Sequence, residues 1–227
     1  MGDEDLYLHG FDGKTRLFPL PGFVMFPYVL KPLHIFEPRY RQMTEDALAS
    51  DHLISIVLLK PHTPEEYLGN PPIHDTACLC RIINSQRLED GRFNIVVRGL
   101  CRLRIESEIP SEKLYRLAHG WPMPDGPSPP VTDLRQTLLE YVRRWLPAGG
   151  PAIQQLETLF QQNLAFGALI DILAFALPLD PEVKQALLDE PDVPSRARKL
   201  LHALKEGAEP LPMPRERPKF PPEFSIN

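Results

Sequence analysis

Four groups of residues in this chain are of types that carry chemistry. Gly13-Lys14-Thr15 has the ending of a phosphate-binding loop, in which a lysine and a hydroxyl follow a cradle of backbone N–H groups. That cradle needs a glycine five residues before Gly13, and position 8 is Leu8, so the ATP reading is set aside. No G-x-S-x-G elbow occurs, and no serine stands in a setting that a lysine would activate, so peptidase chemistry has no support. Cys78 and Cys80, with His74 and Cys101 nearby, offer zinc-type ligands. Alternate strand positions put the first two on one face about 7 Å apart, and a second ligand pair at zinc spacing is missing. We read these cysteines as buried free thiols and expect no metal and no cofactor.

The third group is basic. Arg98, Arg102 and Arg104, with Arg81, Arg87 and Arg92 on neighbouring strands, have the makings of an RNA-binding face. A net charge of −5 and the lack of an aromatic stacking platform among those strands weigh against nucleic acid, which stays as the alternative reading. The fourth group is His34, Phe36, Glu37, Arg39 and Tyr40, where a strand passes into a helix. Leu33 and Ile35 alternate with His34 and Phe36, so Phe36 is expected to point outward beside an ion pair, as suits a surface that grips polypeptide.

The elements that position these groups follow from periodicity and punctuation. Prolines, 27 in all, gather at 19–38, 61–72, 122–130 and after Gly207. Pro21-Gly22 predicts a turn between strands at 17–20 and 23–26, and Pro19 and Pro27 place those strands at an edge or at the rim of a barrel. Glu37-Pro38 opens a helix whose Tyr40, Met43, Ala47 and Leu48 share an apolar face. Residues 53–59 read as a strand buried on both sides, and 60–76 as a long loop. Three more strands are predicted at 77–83, 92–98 and 101–105, with a hairpin turn at Asp90-Gly91. Together these predict a closed or half-closed antiparallel barrel with one inserted helix.

WPMPDGPSPP, 121–130, reads as a semi-rigid linker. Beyond it, a helix capped by Thr132 carries Leu134, Leu138, Tyr141, Val142 and Trp145 and ends at Pro147 to Gly150. Further helices are predicted within 153–177, divided near Asn163, then after Asp180-Pro181 and over 196–205. The expected class is α+β. An N-terminal extension (1–14), a barrel (15–120), the linker, a helical bundle (131–206) and a proline-rich tail (207–227) too poor in apolar residues to fold follow in order.

The stretch LFPLPGFVMFPYVLKPLHIFEPRY, 17–40, resembles the opening of the substrate-binding domain of the Lon protease family. The likeness continues through DGRFNIVVRGLCRLRI, 90–105, and ALIDILAFALPLDPEVKQALLDEPDVPSRARKLLHAL, 168–204. It implies a PUA-like β-barrel followed by a helical bundle, in a region that gathers unfolded or tagged polypeptides for a protease. The chain departs from the family pattern at Asp75 to Cys78, where a glycine is common, and it stops where the ATPase would begin. A stand-alone, non-catalytic recognition module is therefore expected, with polypeptides and a separate AAA+ protease as partners.

Size and composition set the outer limits. With 227 residues, 43% hydrophobic and 24% charged, the chain is long enough for one or two ordinary cores. The longest apolar run, Leu164 to Leu177, is interrupted by Asp171 and falls short of a membrane span of about 20 residues. The acidic start MGDEDLYLHG is unlike a signal or transit peptide, and three cysteines make no disulfide framework, so a cytoplasmic protein without membrane contact is expected.

Overall fold

The computed structural model describes residues 11–61, 70–126, 132–145, 151–162 and 164–206. The chain divides into two compact units between Met123 and Pro124. Among the described residues the first unit holds strands β1 (Lys14–Leu20), β2 (Leu30–Ile35), β3 (Leu53–Leu58), β4 (Thr76–Arg87), β5 (Phe93–Ile109) and β6 (Leu117–Met123), with helix α1 (Pro38–Leu48) after β2. The second holds α2 (Thr132–Trp145), α3 (Pro151–Gln161), α4 (Phe166–Ala176), α5 (Pro181–Leu188) and α6 (Val193–Glu206).

The six strands make one mixed sheet in the order β2-β5-β4-β3-β1-β6, and β6 also pairs with β5. The pairings from β5 through β4, β3, β1 and β6 thus return to β5. Only β1 and β3 run parallel. One edge of β5 follows β4 along its length, while the other pairs first with β2 (Phe93 to Arg98) and then with β6 (Arg102 to Ile109). The change of partner falls at Gly99, where an added Cβ would lie 2.0 Å from the Phe26 carbonyl oxygen. Beside it the β4 register steps from Cys80↔Gly99 to Leu79↔Cys101, leaving Leu100 as an extra residue. The strands predicted at 92–98 and 101–105 are therefore two halves of one strand, because glycine here admits a crossing backbone instead of ending the ladder.

The predicted hairpin at Pro21-Gly22 is corrected in the same way. Gly22 takes a positive φ of 63° and the turn forms, but 23–26 is not a strand. Val24, Met25 and Phe26 are buried in succession, which an alternating strand against one core does not allow, and over Leu17 to Leu20 the strand that pairs with β1 is β3. Pro19 is accommodated because β6 accompanies β1 only over Lys14 to Arg16, so the missing N–H falls beyond β6. Pro122, placed in the linker by sequence, is likewise part of β6, in a stretch that keeps only β5 beside it.

The other signals correspond to observed elements. β3 is buried throughout, and Tyr40, Met43 and Ala47 face inward from α1, joined by Thr44 rather than Leu48. Leu88 donates to the Arg92 carbonyl and Gly91 takes φ +78°, closing the β4–β5 turn. In the second unit α6 packs on α2, α4 and α5, with Leu138, Val142, Leu169, Leu173 and Leu200 at the centre. Asp180 accepts from the Glu182 N–H at 2.8 Å, the cap expected for α5. Most of the 60–76 loop, the later part of the 121–130 segment, Pro147 to Gly150, Asn163 and the tail from Gly207 lie outside the described residues.

Candidate functional site

Beyond Arg81, β4 loses β3 and keeps only β5, so β2, the first half of β5 and the second half of β4 form a three-stranded extension. Its inner side is the alternation read from sequence: Leu33, Ile35, Phe93, Ile95, Val97 and Ile82 are buried. Its outer side carries the residues between them. Cross-strand register aligns Leu30, Arg98 and Arg81 in one row, Pro32, Val96 and Asn84 in the next, and His34, Asn94 and Gln86 in the third. Ile83 is the extra residue of a second bulge, between Ile82↔Val97 and Asn84↔Val96. Leu30 is 57% and Ile83 50% exposed, two of the four large apolar side chains most open to solvent among the described residues. With Pro32 and Val96 between them they make a short apolar stripe on a rigid sheet.

The residues singled out at the strand–helix junction sit at the end of this face, with one exception. His34 Nδ1 and Asn94 Oδ1 share a hydrogen bond of 2.7 Å, and the His34 and Phe36 rings lie 6.2 Å apart and near parallel. Phe36 is half-buried, and Glu37 pairs with Arg39 at 2.8 Å. Tyr40 points the other way. Only 4% exposed, it packs on Phe18 at 4.5 Å and donates to the Pro19 carbonyl, so it supports the junction from inside and offers nothing to a ligand.

The three arginines of the alternative reading do not form one surface. Arg98 lies on the outer face beside Leu30, whereas Arg102, between β4 and β6, is only 3% exposed, and Arg104 is exposed next to Trp121 in register. The extra residue at Leu100 separates the two halves of β5, and alternation counted straight through it misplaces Arg102. Leu30 and Ile83 escaped sequence reading for a related reason. The paired isoleucines Ile82-Ile83 break a strict period of two, which was the available signal for a bulge with one side chain turned outward.

Gly13-Lys14-Thr15 opens β1, with Gly13 at φ +89° against the Trp121 ring. Lys14 and Arg16 line a polar cleft of about 380 Å³ together with Asp46, Asp51, Lys113 and Tyr115. Its charges answer one another: Arg16 binds Asp51 at 2.7 Å and the Ser50 hydroxyl at 2.7 Å, while Lys113 and Tyr115 both donate to Asp46 Oδ2. The Lys113 hydrogen bond holds the Asp46 carboxyl below its ordinary range, and burial, followed by the bond to Asp46, pushes the Tyr115 phenol up to about 12. A raised phenol pKa favours the neutral form in the fold, so its contribution to stability is present below pH ~10 and lost as pH rises through about 12. Tyrosinate absorbance should include a phenol titrating near 12 that moves down in Asp46→Asn without reaching the ordinary value because burial remains. A titration curve unchanged by Asp46→Asn would contradict this arrangement.

Cys78 and Cys80 are fully buried, with the Cys80 thiol 3.4 Å from the Cys78 carbonyl, and Cys101 is half-buried. No group of three His, Cys, Asp or Glu side chains placed to hold a metal occurs among the described residues. No helix among them is long and apolar enough to cross a membrane.

Comparison with known proteins gives this architecture its context. The chain is 24% identical over 202 residues to the Lon protease of Leptospira interrogans, covering 88% of this chain and 24% of that protein. It is 25% identical over 204 residues to the Lon protease of Heliobacterium modesticaldum, covering 89% and 25%. The chain thus spans about a quarter of the length of these relatives. Among solved structures, the Lon N-terminal domain protein from Xanthomonas campestris superposes with a TM-score of 0.59 at 22% identity, covering 83% of this chain and 97% of that one. The N-terminal domain of Mycobacterium avium complex Lon protease gives 0.62 at 17% identity, covering 85% and 98%. Residues 14–206, nearly the whole described fold, match the model of the ATP-dependent protease La (LON) substrate-binding domain, and the chain belongs to that family.

Proposed function

We propose that this chain is a non-catalytic polypeptide-recognition module that captures apolar stretches of unfolded or tagged proteins on the outer face of β2, β5 and β4. The observation that carries the reading is the exposed stripe of Leu30 and Ile83, held on paired strands in a member of a substrate-binding family. Isolated exposed leucines are ordinary on a protein surface, but aligned apolar side chains on a stiff sheet next to Phe36 and His34 form a patch that another chain can cover. The client is held by side chains rather than by strand addition. Among the described residues β2 is an edge strand of the sheet, yet Pro32 at its middle cannot donate to a ladder.

In this reading the closed ring of strands is a PUA-like barrel and the five helices form a bundle. The module works in the cytoplasm as an adaptor for a separate AAA+ protease. Its affinity is micromolar or weaker, since one small patch must also order a disordered client. Leu30→Ser with Ile83→Ser should weaken capture of a reduced, unfolded model protein by about tenfold or more, because two apolar contacts are removed. The melting temperature should stay near the parent's, as both side chains already face water. Phe36→Ala should weaken capture less, since part of its ring is already covered. Unchanged capture in the double variant, or RNA binding that falls steeply with salt, would refute the assignment.

A further inference from the structure

Lys184, on α5, is a half-buried lysine whose ammonium is held by neutral groups. Its Nζ donates to the Phe175 carbonyl at 2.8 Å and lies 5.8 Å from the centre of the Phe175 ring. That carbonyl belongs to the last turn of α4, where the Leu179 N–H turns to the Leu177 carbonyl and leaves it without a helical partner. Among the described residues no carboxylate is paired with Lys184, whereas Lys60 faces Asp75, Lys113 faces Asp46 and Lys199 faces Glu190. The difference decides which protonation state the fold favours. A carboxylate favours an ammonium opposite it, but a carbonyl needs only an N–H and accepts equally well from a neutral amine. Such an amine gives one hydrogen to the Phe175 oxygen and keeps its lone pair clear of that contact, open to an electrophile. Burial without a counter-charge acts in the same direction and pushes the Lys184 pKa down from the ordinary lysine range. Desolvation of this kind activates a lysine as a nucleophile.

We propose that Lys184 is an acylation site of the helical unit that reacts directly with acyl thioesters. Its amine attacks the thioester carbonyl carbon, a C–N bond forms, the C–S bond breaks, and the thiol departs with the proton released from nitrogen. The product suits the place as well as the reactant does. An acylated Lys184 retains one N–H for the Phe175 oxygen, and the lost charge strands no acid. At Lys113 the same change would deprive Asp46 of the hydrogen bond that holds its carboxyl low. The reaction does not depend on polypeptide capture by the first unit.

The test treats the full chain with a limiting amount of an acetyl thioester near neutral pH and follows each acetylated position by peptide mass spectrometry. The N-terminal amine is scored apart, because its ordinary pKa is already low. Lys184 should react several-fold faster than Lys60, Lys113 and Lys199. Its lead should shrink as the pH is raised toward ~10, where ordinary lysines also lose their protons. In denaturant, where burial and ion pairs are gone, the four should react alike. A Lys184 that reacts no faster than the three ion-paired lysines of the folded chain would overturn the proposal. So would a lead that persists in denaturant, since sequence neighbours rather than the fold would then set the rate.

Discussion

Arg196→Met is expected to destabilise the helical unit by about 3–5 kcal/mol, because it removes the cation beside a fully buried carboxylate. Arg196 is fully buried in α6 and reaches two hydrogen-bond acceptors and a third, charged neighbour. Its guanidinium donates to Asp125 Oδ2 at 2.7 Å and to the Glu190 carbonyl at 2.7 Å, and its Nε lies 3.2 Å from Asp171, an electrostatic contact rather than an aligned hydrogen bond. Asp171 is itself fully buried in α4 among leucines and alanines. Gly167 makes room, since a Cβ there would meet Asp125 Oδ2 at 2.1 Å. A domain holds only about 5–15 kcal/mol in total, so the change removes a large part of its stability.

Adding Asp171→Leu to Arg196→Met should restore much of the loss, because replacing both members of a buried pair by apolar groups is close to neutral. Arg196→Lys should rescue poorly, as one ammonium cannot span acceptors on three sides. The check is denaturant unfolding followed by helical circular dichroism. An Arg196→Met chain that unfolds at the parent's midpoint would show that the cluster carries no stability.

Arg196 also marks where sequence reading stopped. What was legible came from signals confined to a few neighbouring residues. The period of two in 93–98 reported a strand with one buried side, Pro38 opened α1, and Asp180 capped α5. Asp171 was visible only as an interruption of an apolar run, and Arg196 only as the start of a helix, because the reason for each is the other, 25 residues away. Asp125 belongs to the same cluster, and the Gly126 N–H donates to the Pro191 carbonyl at 3.1 Å, so the middle of the segment read as a linker is tied to the helices. Pairing across long sequence separations, which sets strand order and buried charge partners, leaves no periodic trace.

The candidate site was half legible for the same reason. His34 lies between buried Leu33 and Ile35 in β2, as their alternation indicates. Leu30, Val96 and Ile83 come from three strands, and what aligns them is register, including a bulge. Once the bulge at Ile83 is placed, the apolar stripe follows from simple alternation.

Gly99→Ala tests the feature on which that register depends, and we expect it to destabilise the first unit by about 3 kcal/mol or more. The new Cβ would sit 2.0 Å from the Phe26 carbonyl oxygen, 2.9 Å from its carbon and 3.1 Å from the Cys78 thiol. Two of these are backbone atoms of a fully buried residue, so no side-chain rotation relieves the clash. Gly99 also accepts from the Tyr28 N–H and donates to the Val29 carbonyl, both at 2.9 Å, and these bonds hold Tyr28 at a φ of +67° that an L-residue adopts only under constraint. Displacing the 26–29 segment therefore moves the start of β2, and with it Leu30.

A fall in melting temperature on the order of 15 °C is the expected scale for a unit of this size. Gly22→Ala provides the control, because Gly22 also has a positive φ but nothing lies within 4 Å of its added Cβ. It should lose only the ~1 kcal/mol of the left-handed backbone. Capture of unfolded protein by Gly99→Ala, measured well below its melting point, should fall as in the Leu30→Ser, Ile83→Ser variant, while Gly22→Ala keeps parental capture. If Gly99→Ala melts with the parent, the crossing at Phe26 does not constrain β5. If it melts early yet captures clients normally, Leu30 is not held in place by this junction, and the stripe on the outer face is not the gripping surface.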